Sequence, residues 1–145
     1  MVAPDGTLTG APWPEREQML AQFDTLKTDA VEAELLTRIA DHRDAARAIA
    51  GWGPREIVLT HRDGLLVFAN GRFHEAPFRP RQLVGRSGRG DTCIASYVAK
   101  RLTAPPEEAC LWAAVVTSLK MEAEGPLKKS AAEVEELFRT AYGRP

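Results

Sequence analysis

The sequence predicts an α/β domain in which a mixed sheet is flanked by helices. Three observations carry this. The run Glu56–Thr60 (EIVLT) is short, apolar and β-branched, and it follows two helical stretches, so it reads as a central parallel strand. Asn70-Gly71 separates two strand-like runs, 65–69 and 72–76, and is the strongest hairpin signal in the chain. Finally, the glycine-rich turn GRSGRGD, residues 85–91, leads directly into a helix.

The remaining elements follow from local chemistry. Residues 1–14 carry Pro4, Gly6, Gly10, Pro12 and Pro14 and read as an irregular lead-in with a short strand at 7–9. A short helix runs from Pro14 to about Gln22, and residues 23–27 read as a buried strand. Thr28 or Asp29 caps the next helix, with Val31, Leu35 and Leu36 expected on its core face. The Ala-rich stretch 40–50 is a further helix, ended by Gly51 and Gly53-Pro54. After the hairpin and a connection at 77–83, Asp91 stands at a helix start as its expected cap, followed by the stripe Ile94, Tyr97, Val98, Arg101 and Leu102. Pro106–Lys120 is a helix rich in Ala, Leu and Val, with Trp112 read as core, and Ser130 caps a last helix presenting Val134, Leu137, Phe138 and Tyr142. The whole reads as one domain, 1–22 being a lead-in to 23–145.

Composition excludes several classes. The net charge of −1 gives no reason to expect nucleic acid or an anionic membrane as partner. No apolar run approaches membrane-spanning length and no signal peptide opens the chain. Cys93 and Cys110 lack a Cys or His at ligand spacing, so they read as buried thiols of a cytoplasmic protein rather than a metal site. His42, His61 and His74 show no pairing with a nucleophile and read as surface residues.

The turn at 85–91 is where chemistry is expected. Free backbone N–H groups and the positive end of the helix dipole meet at residues 88–91, which attracts anions, phosphate above all. The pattern is neither a Walker A loop nor GxGxxG. Arg89-Gly90-Asp91 spells an adhesion tripeptide, but it leads into an apolar helix. The competing reading is a plain connector with an ordinary Asp cap.

Three motifs in order resemble the ribokinase-like, PfkB family of sugar and nucleoside kinases. The family's DTxGAGD stands here as GRSGRGD, its NxxE as Asp29-Ala30-Val31-Glu32, and its TxGxxG strand and loop as Thr60-His61-Arg62-Asp63-Gly64. The resemblance covers about residues 23–142. It implies a ribokinase-like, Rossmann-like mixed sheet and the C-terminal, nucleotide-binding half only. It also implies ATP-dependent phosphotransfer to a sugar or nucleoside hydroxyl. On that basis Asp91 matches the catalytic base, and Gly88, Arg89 and Gly90 match the anion hole. Asp29, Thr60 and Gly64 match nucleotide-binding positions, and Glu32 matches the acid that organises Mg2+ through water. Residues 113–117 match, loosely, the region that packs adenine. Each has a structural alternative: Asp91 a cap, Glu32 an exposed helix acid, Thr60 the end of a strand.

The departures carry their own expectations. Gly85 and Arg86 replace the leading Asp and Thr, which removes the acid that helps hold a monovalent cation, so Arg86 or Arg89 is expected to supply the positive charge. Asp29 replaces an Asn, and the TxGxxG loop is a residue shorter. The family's sugar-recognition part and β-lid have no counterpart here. A half sheet leaves a strand edge open, so a homodimer or a missing N-terminal half is expected. The alternative function is a nucleotide-binding module without catalysis, and beyond it a purely structural domain.

Overall fold

The computed structural model describes residues 13–142; the strand expected at 7–9 lies outside them. The elements are α1 (Arg16–Leu20), β1 (Thr25–Asp29), α2 (Ala30–Thr37), α3 (His42–Ala50), β2 (Glu56–Thr60), β3 (Gly64–Ala69), β4 (Arg72–Pro77), α4 (Arg89–Arg101), α5 (Pro106–Lys120) and α6 (Ala131–Ala141). The strands form one mixed sheet in the order β1-β2-β3-β4. β2 pairs parallel with β1, Asp29 opposite Thr60, and antiparallel with β3. Asn70 and Gly71 both have positive φ, 52° and 74°, which is the primed turn that matches the twist of the hairpin strands.

Alternation along the strands divides the core into two layers. Ile57, Leu59 and Leu66 pack against Ala33, Ala45, Ala46 and Ile49 of α2 and α3. Val58, Leu65, Val67 and Ala69 face the other way, onto Cys93 and Tyr97 of α4 and Ala109, Cys110, Ala113 and Ala114 of α5. Small residues on α3 and α5 let these helices approach the sheet closely. Val134 and Leu137 seat α6 on Val115, Val116 and Leu119, and its Ser130/Glu133 capping box holds the Glu133 carboxyl down at about 2. Both thiols are fully buried, as expected, and burial pushes Cys93 up to about 11 and Cys110 further.

Several local expectations are corrected. β1 begins at Thr25 rather than Phe23, because the Phe23 N–H closes the end of α1 on Leu20 O and leaves its ring 47% exposed. Val31 and Leu35 do not face the core: α2 turns Ala33 inward, with Ala30 and Leu36 beside it. On α4, Cys93 and Tyr97 are the buried pair, while Val98 and Leu102 are exposed. Asp91 is not the cap of α4. Gly88 is, in a left-handed conformation with φ 73°, and Asp91 lies in the first turn. A Cβ at Gly88 would be strained by about 1 kcal/mol or more.

A polar tie fixes α4 across the sheet. The Tyr97 hydroxyl donates to Glu56 Oε2 at 2.6 Å, and Arg101 Nη2 donates to Glu56 Oε1 at 2.7 Å. Partial burial pushes the Glu56 carboxyl up, but hydrogen bonds from Arg101 and Tyr97 outweigh it and hold it below its usual range. Burial first, and Glu56 second, push the Tyr97 phenol well up. Arg101→Met should lower stability by roughly 1–3 kcal/mol in urea denaturation at pH 7. Because the native carboxyl is depressed, this contribution is present above Glu56's unfolded value of 4.5 and is lost as pH falls below it, so the gap between wild type and variant should shrink towards pH 3.

Candidate donor-phosphate site

β1 and β2 are parallel, so their C-terminal ends, at Asp29 and Thr60, lie side by side. In open α/β sheets this is the rim at which ligands bind. The start of α4 comes to the same rim. Leu26 packs in the α2/α3 layer, so alternation turns Lys27 to the α4 side. A Cβ built on Gly90 would sit 2.8 Å from Lys27 Nζ. The glycine thus lets the ammonium lie directly against the first turn of α4.

The backbone of that turn offers donors. Arg89 N–H is taken by Arg86 O and Thr92 N–H by Gly88 O, while among the described residues no backbone acceptor takes the N–H of Gly90 or Asp91. The Asp91 side chain is exposed in the same turn. Arg89 places its guanidinium 5.7 Å from the Phe78 ring centre, and with Arg62, Asp63, Arg86 and Phe78 it lines a polar cleft of about 280 Å³. Arg86 and Arg89, the two expected sources of positive charge, therefore face one cavity.

The other expected positions fall as follows. Asp29 caps α2: its Oδ1 accepts from Glu32 N at 2.9 Å, and Glu32 Oε2 accepts from Asp29 N at 2.8 Å. Glu32 Oε2 is also 3.6 Å from Lys27 Nζ, so the Asp29/Glu32 pair joins the α4 terminus through that lysine. Thr60 is 1% exposed and shares the Val58 face, towards α4 and α5. Gly64 opens β3 opposite Pro77, where a Cβ would lie 2.7 Å from Ala76 O, so its first constraint is packing. It borders the cleft through its neighbour Asp63, whose carbonyl accepts from Phe78 N. Residues 113–117 are buried inside α5 and do not line the cleft.

Two features were not read from the sequence. His42, His61 and His74 are half-buried rather than on the surface, the rings of His42 and His61 stacked 5.5 Å apart, and burial, then His42, lower the His61 imidazole. Lys27 and Lys120 both approach the α4 terminus, from β1 and from α5. A lone lysine in a strand or at a helix end has no local signature, because only its flexible stem decides where the charge goes.

Among the described residues, no group of three or more His, Cys, Asp or Glu side chains is placed to hold a metal ion. The Asp29 and Glu32 carboxylates are engaged in their mutual capping box, and Glu32 also lies beside Lys27.

The glycines separate structural from ligand effects. Gly64→Ala should lower stability by roughly 1–3 kcal/mol through the backbone clash with Ala76. Gly90→Ala meets only the flexible end of Lys27, so thermal unfolding should be unchanged or later while inorganic pyrophosphate, titrated calorimetrically, binds more weakly.

Comparison with known proteins converges on one family. Residues 10–132 match the model of the pfkB family carbohydrate kinases. A cytidine kinase of Thermococcus kodakarensis is 34% identical over 98 residues, which is 65% of this chain and 35% of the relative. A pyrophosphate-dependent myo-inositol-1 kinase, solved in a form converted into a myo-inositol-3 kinase, is 40% identical with a TM-score of 0.78, covering 89% of this chain and 46% of its own. Arabidopsis thaliana ribokinase, solved with ribose and ATP, has a TM-score of 0.76 at 21% identity, covering 85% of this chain and 43% of its own, and supports the fold alone. The chain thus spans less than half the length of these relatives. It belongs to the pfkB family of carbohydrate kinases, with the ribokinase-like fold.

Proposed function

We propose that this chain carries the phosphoryl-donor site and the catalytic base of a kinase that phosphorylates a hydroxyl of a sugar, polyol or nucleoside. One observation carries the reading. The α4 start presents the N–H groups of Gly90 and Asp91 and the exposed Asp91 carboxylate at the rim where β1 and β2 end, beside Lys27. Donor phosphate oxygens would accept from those N–H groups and gain from the helix dipole, which stabilises charge as it builds on the transferring group. Asp91 would accept the proton of the acceptor hydroxyl as its oxygen attacks. Glu32 and Asp29 would orient hydrated Mg2+, which when bound neutralises phosphate charge. Thr60 and the Gly64 turn would border the donor.

The donor expected from the motifs is Mg-ATP. Pyrophosphate is a second reading, favoured by the 40% identity to a pyrophosphate-dependent kinase and by the small polar cleft lined by Arg62, Arg86 and Arg89. Guanidinium groups suit a compact diphosphate, and residues 113–117 offer no open shelf for a base.

The acceptor site is expected on a further part of the protein or on a second copy. Among the described residues β1 pairs only with β2, and Phe23, Val98 and Leu102 stay exposed near that edge. Such an edge and apolar margin favour a covering partner.

Phosphate transfer from ATP and from pyrophosphate should be assayed against ribose, myo-inositol and cytidine, with the remainder of the protein supplied where the chain alone is inactive. Asp91→Asn should lower turnover by about 10²–10⁴ while donor affinity is kept. Full activity in Asp91→Asn would remove the base from the mechanism. Donor binding without transfer under any of these conditions would leave a nucleotide-binding module.

A further inference from the structure

Lys120 ends α5, and the position has an ordinary explanation: a cation near a helix C-terminus is favoured by the dipole and can bond the last carbonyls. The side chain does not behave that way. Lys120 is 2% exposed, and among the described residues its Nζ has no hydrogen-bond partner. The stem instead runs under the start of α4, where Cε lies 3.7 Å from the position a Cβ on Gly88 would take. One turn earlier on α5, Thr117 Oγ1 is buried beside the Cys93 thiol, with which it hydrogen-bonds. Buried polar atoms are almost always satisfied, and a buried cation without a counter-charge is strongly unfavourable. Here the cation also sits against the positive end of a helix, with Lys27 Nζ against Gly90 from the β1 side. Lys27 has the Glu32 carboxylate 3.6 Å away, whereas Lys120 faces the same helix N-terminus with no hydrogen-bond partner among the described residues.

We propose that Lys120 is a built-in cation of the donor-phosphate site. Its counter-charge arrives with the ligand, as phosphate oxygens held by the N–H groups of Gly90 and Asp91 between Lys27 and Lys120. This rests on the reading of the α4 terminus as a donor site and deepens it. Lys120 acts as a binding and positioning residue, through the field it places under Gly88, while the N–H groups make the contacts. The tethered charge replaces a freely bound monovalent cation, so the site works without one. Arg86 and Arg89 then serve the neighbouring cleft that their side chains line.

The test compares wild type, Lys120→Met, Lys120→Gln and Lys120→Ala by calorimetric titration with inorganic pyrophosphate and with Mg-ATP. Each titration is made in potassium chloride and in tetramethylammonium chloride, and ligand-free thermal midpoints are recorded. Lys120→Met should bind the preferred donor at least tenfold more weakly, with a ligand-free midpoint equal to or above wild type, because an uncompensated buried charge has been removed. Lys120→Ala, which leaves room for an ion, should recover part of its affinity in potassium, while wild type binds equally in both salts. A lysine with a purely structural role would give the reverse: a lower midpoint and unchanged affinity per folded molecule. That result, or equal donor affinity in Lys120→Met and wild type, overturns the proposal and leaves the donor site standing. If Lys120→Met does not fold, Lys120→Gln is read by the same criteria, and failure of both to fold counts as a structural role and against the proposal. Wild type binding neither donor would overturn the donor site and Lys120 together.

Discussion

Positive electrostatic potential at the start of α4 is the constraint around which this molecule is arranged. Three sources converge there: the helix dipole, the Lys27 ammonium and the Lys120 ammonium. The chain is nearly neutral overall, so this local excess comes from placement rather than composition. Gly90 lacks the Cβ that would hold Lys27 away, and Gly88 adopts the left-handed conformation that turns the loop into the helix beside the Lys120 stem. Glu32 lies beside the Lys27 ammonium, while the Lys120 ammonium has no hydrogen-bond partner among the described residues.

The rest of the fold holds that terminus in place. Tyr97, near the middle of α4, and Arg101, at its end, are tied to Glu56 at the start of β2, so the helix cannot slide along the sheet. At the other end of β2, Thr60 lies beside Asp29, and the Asp29/Glu32 capping box turns the chain from β1 into α2 next to Lys27. The two layers of small residues on α3 and α5 bring the helices close enough for side chains of modest length to reach the rim. Stability and site geometry thus depend on the same contacts.

The outward-facing apolar residues of α2 and α4 have a common cause. Val31, Leu35, Val98 and Leu102 are apolar residues at helical spacing, yet they face outward. Apolar spacing identifies a helix and a stripe, but it does not say how the helix is rotated against a sheet. Here Ala33 and Cys93 face inward because their small side chains fit closely, and Tyr97 because it fills the interface and bonds Glu56. Asp91 looked like a cap because Asp is a favoured capping residue. Gly88 took the position, having a backbone conformation that Asp tolerates less well, and that left the Asp91 carboxylate exposed.

Local chemistry in the sequence determined the order and type of the described elements, the primed hairpin turn at Asn70-Gly71, the caps at Asp29 and Ser130, and the glycine turn before α4. Three motifs in order were enough to indicate the family. These are properties of neighbouring residues or of fixed spacing, and each is written in a few consecutive positions. The tertiary structure alone decided that Lys27 and Lys120, 93 positions apart by number, flank one helix start, and that Glu56 meets Tyr97 and Arg101. Long flexible side chains carry no local sign of where their charge comes to rest, so only the packing of β1, α4 and α5 against one another could place it.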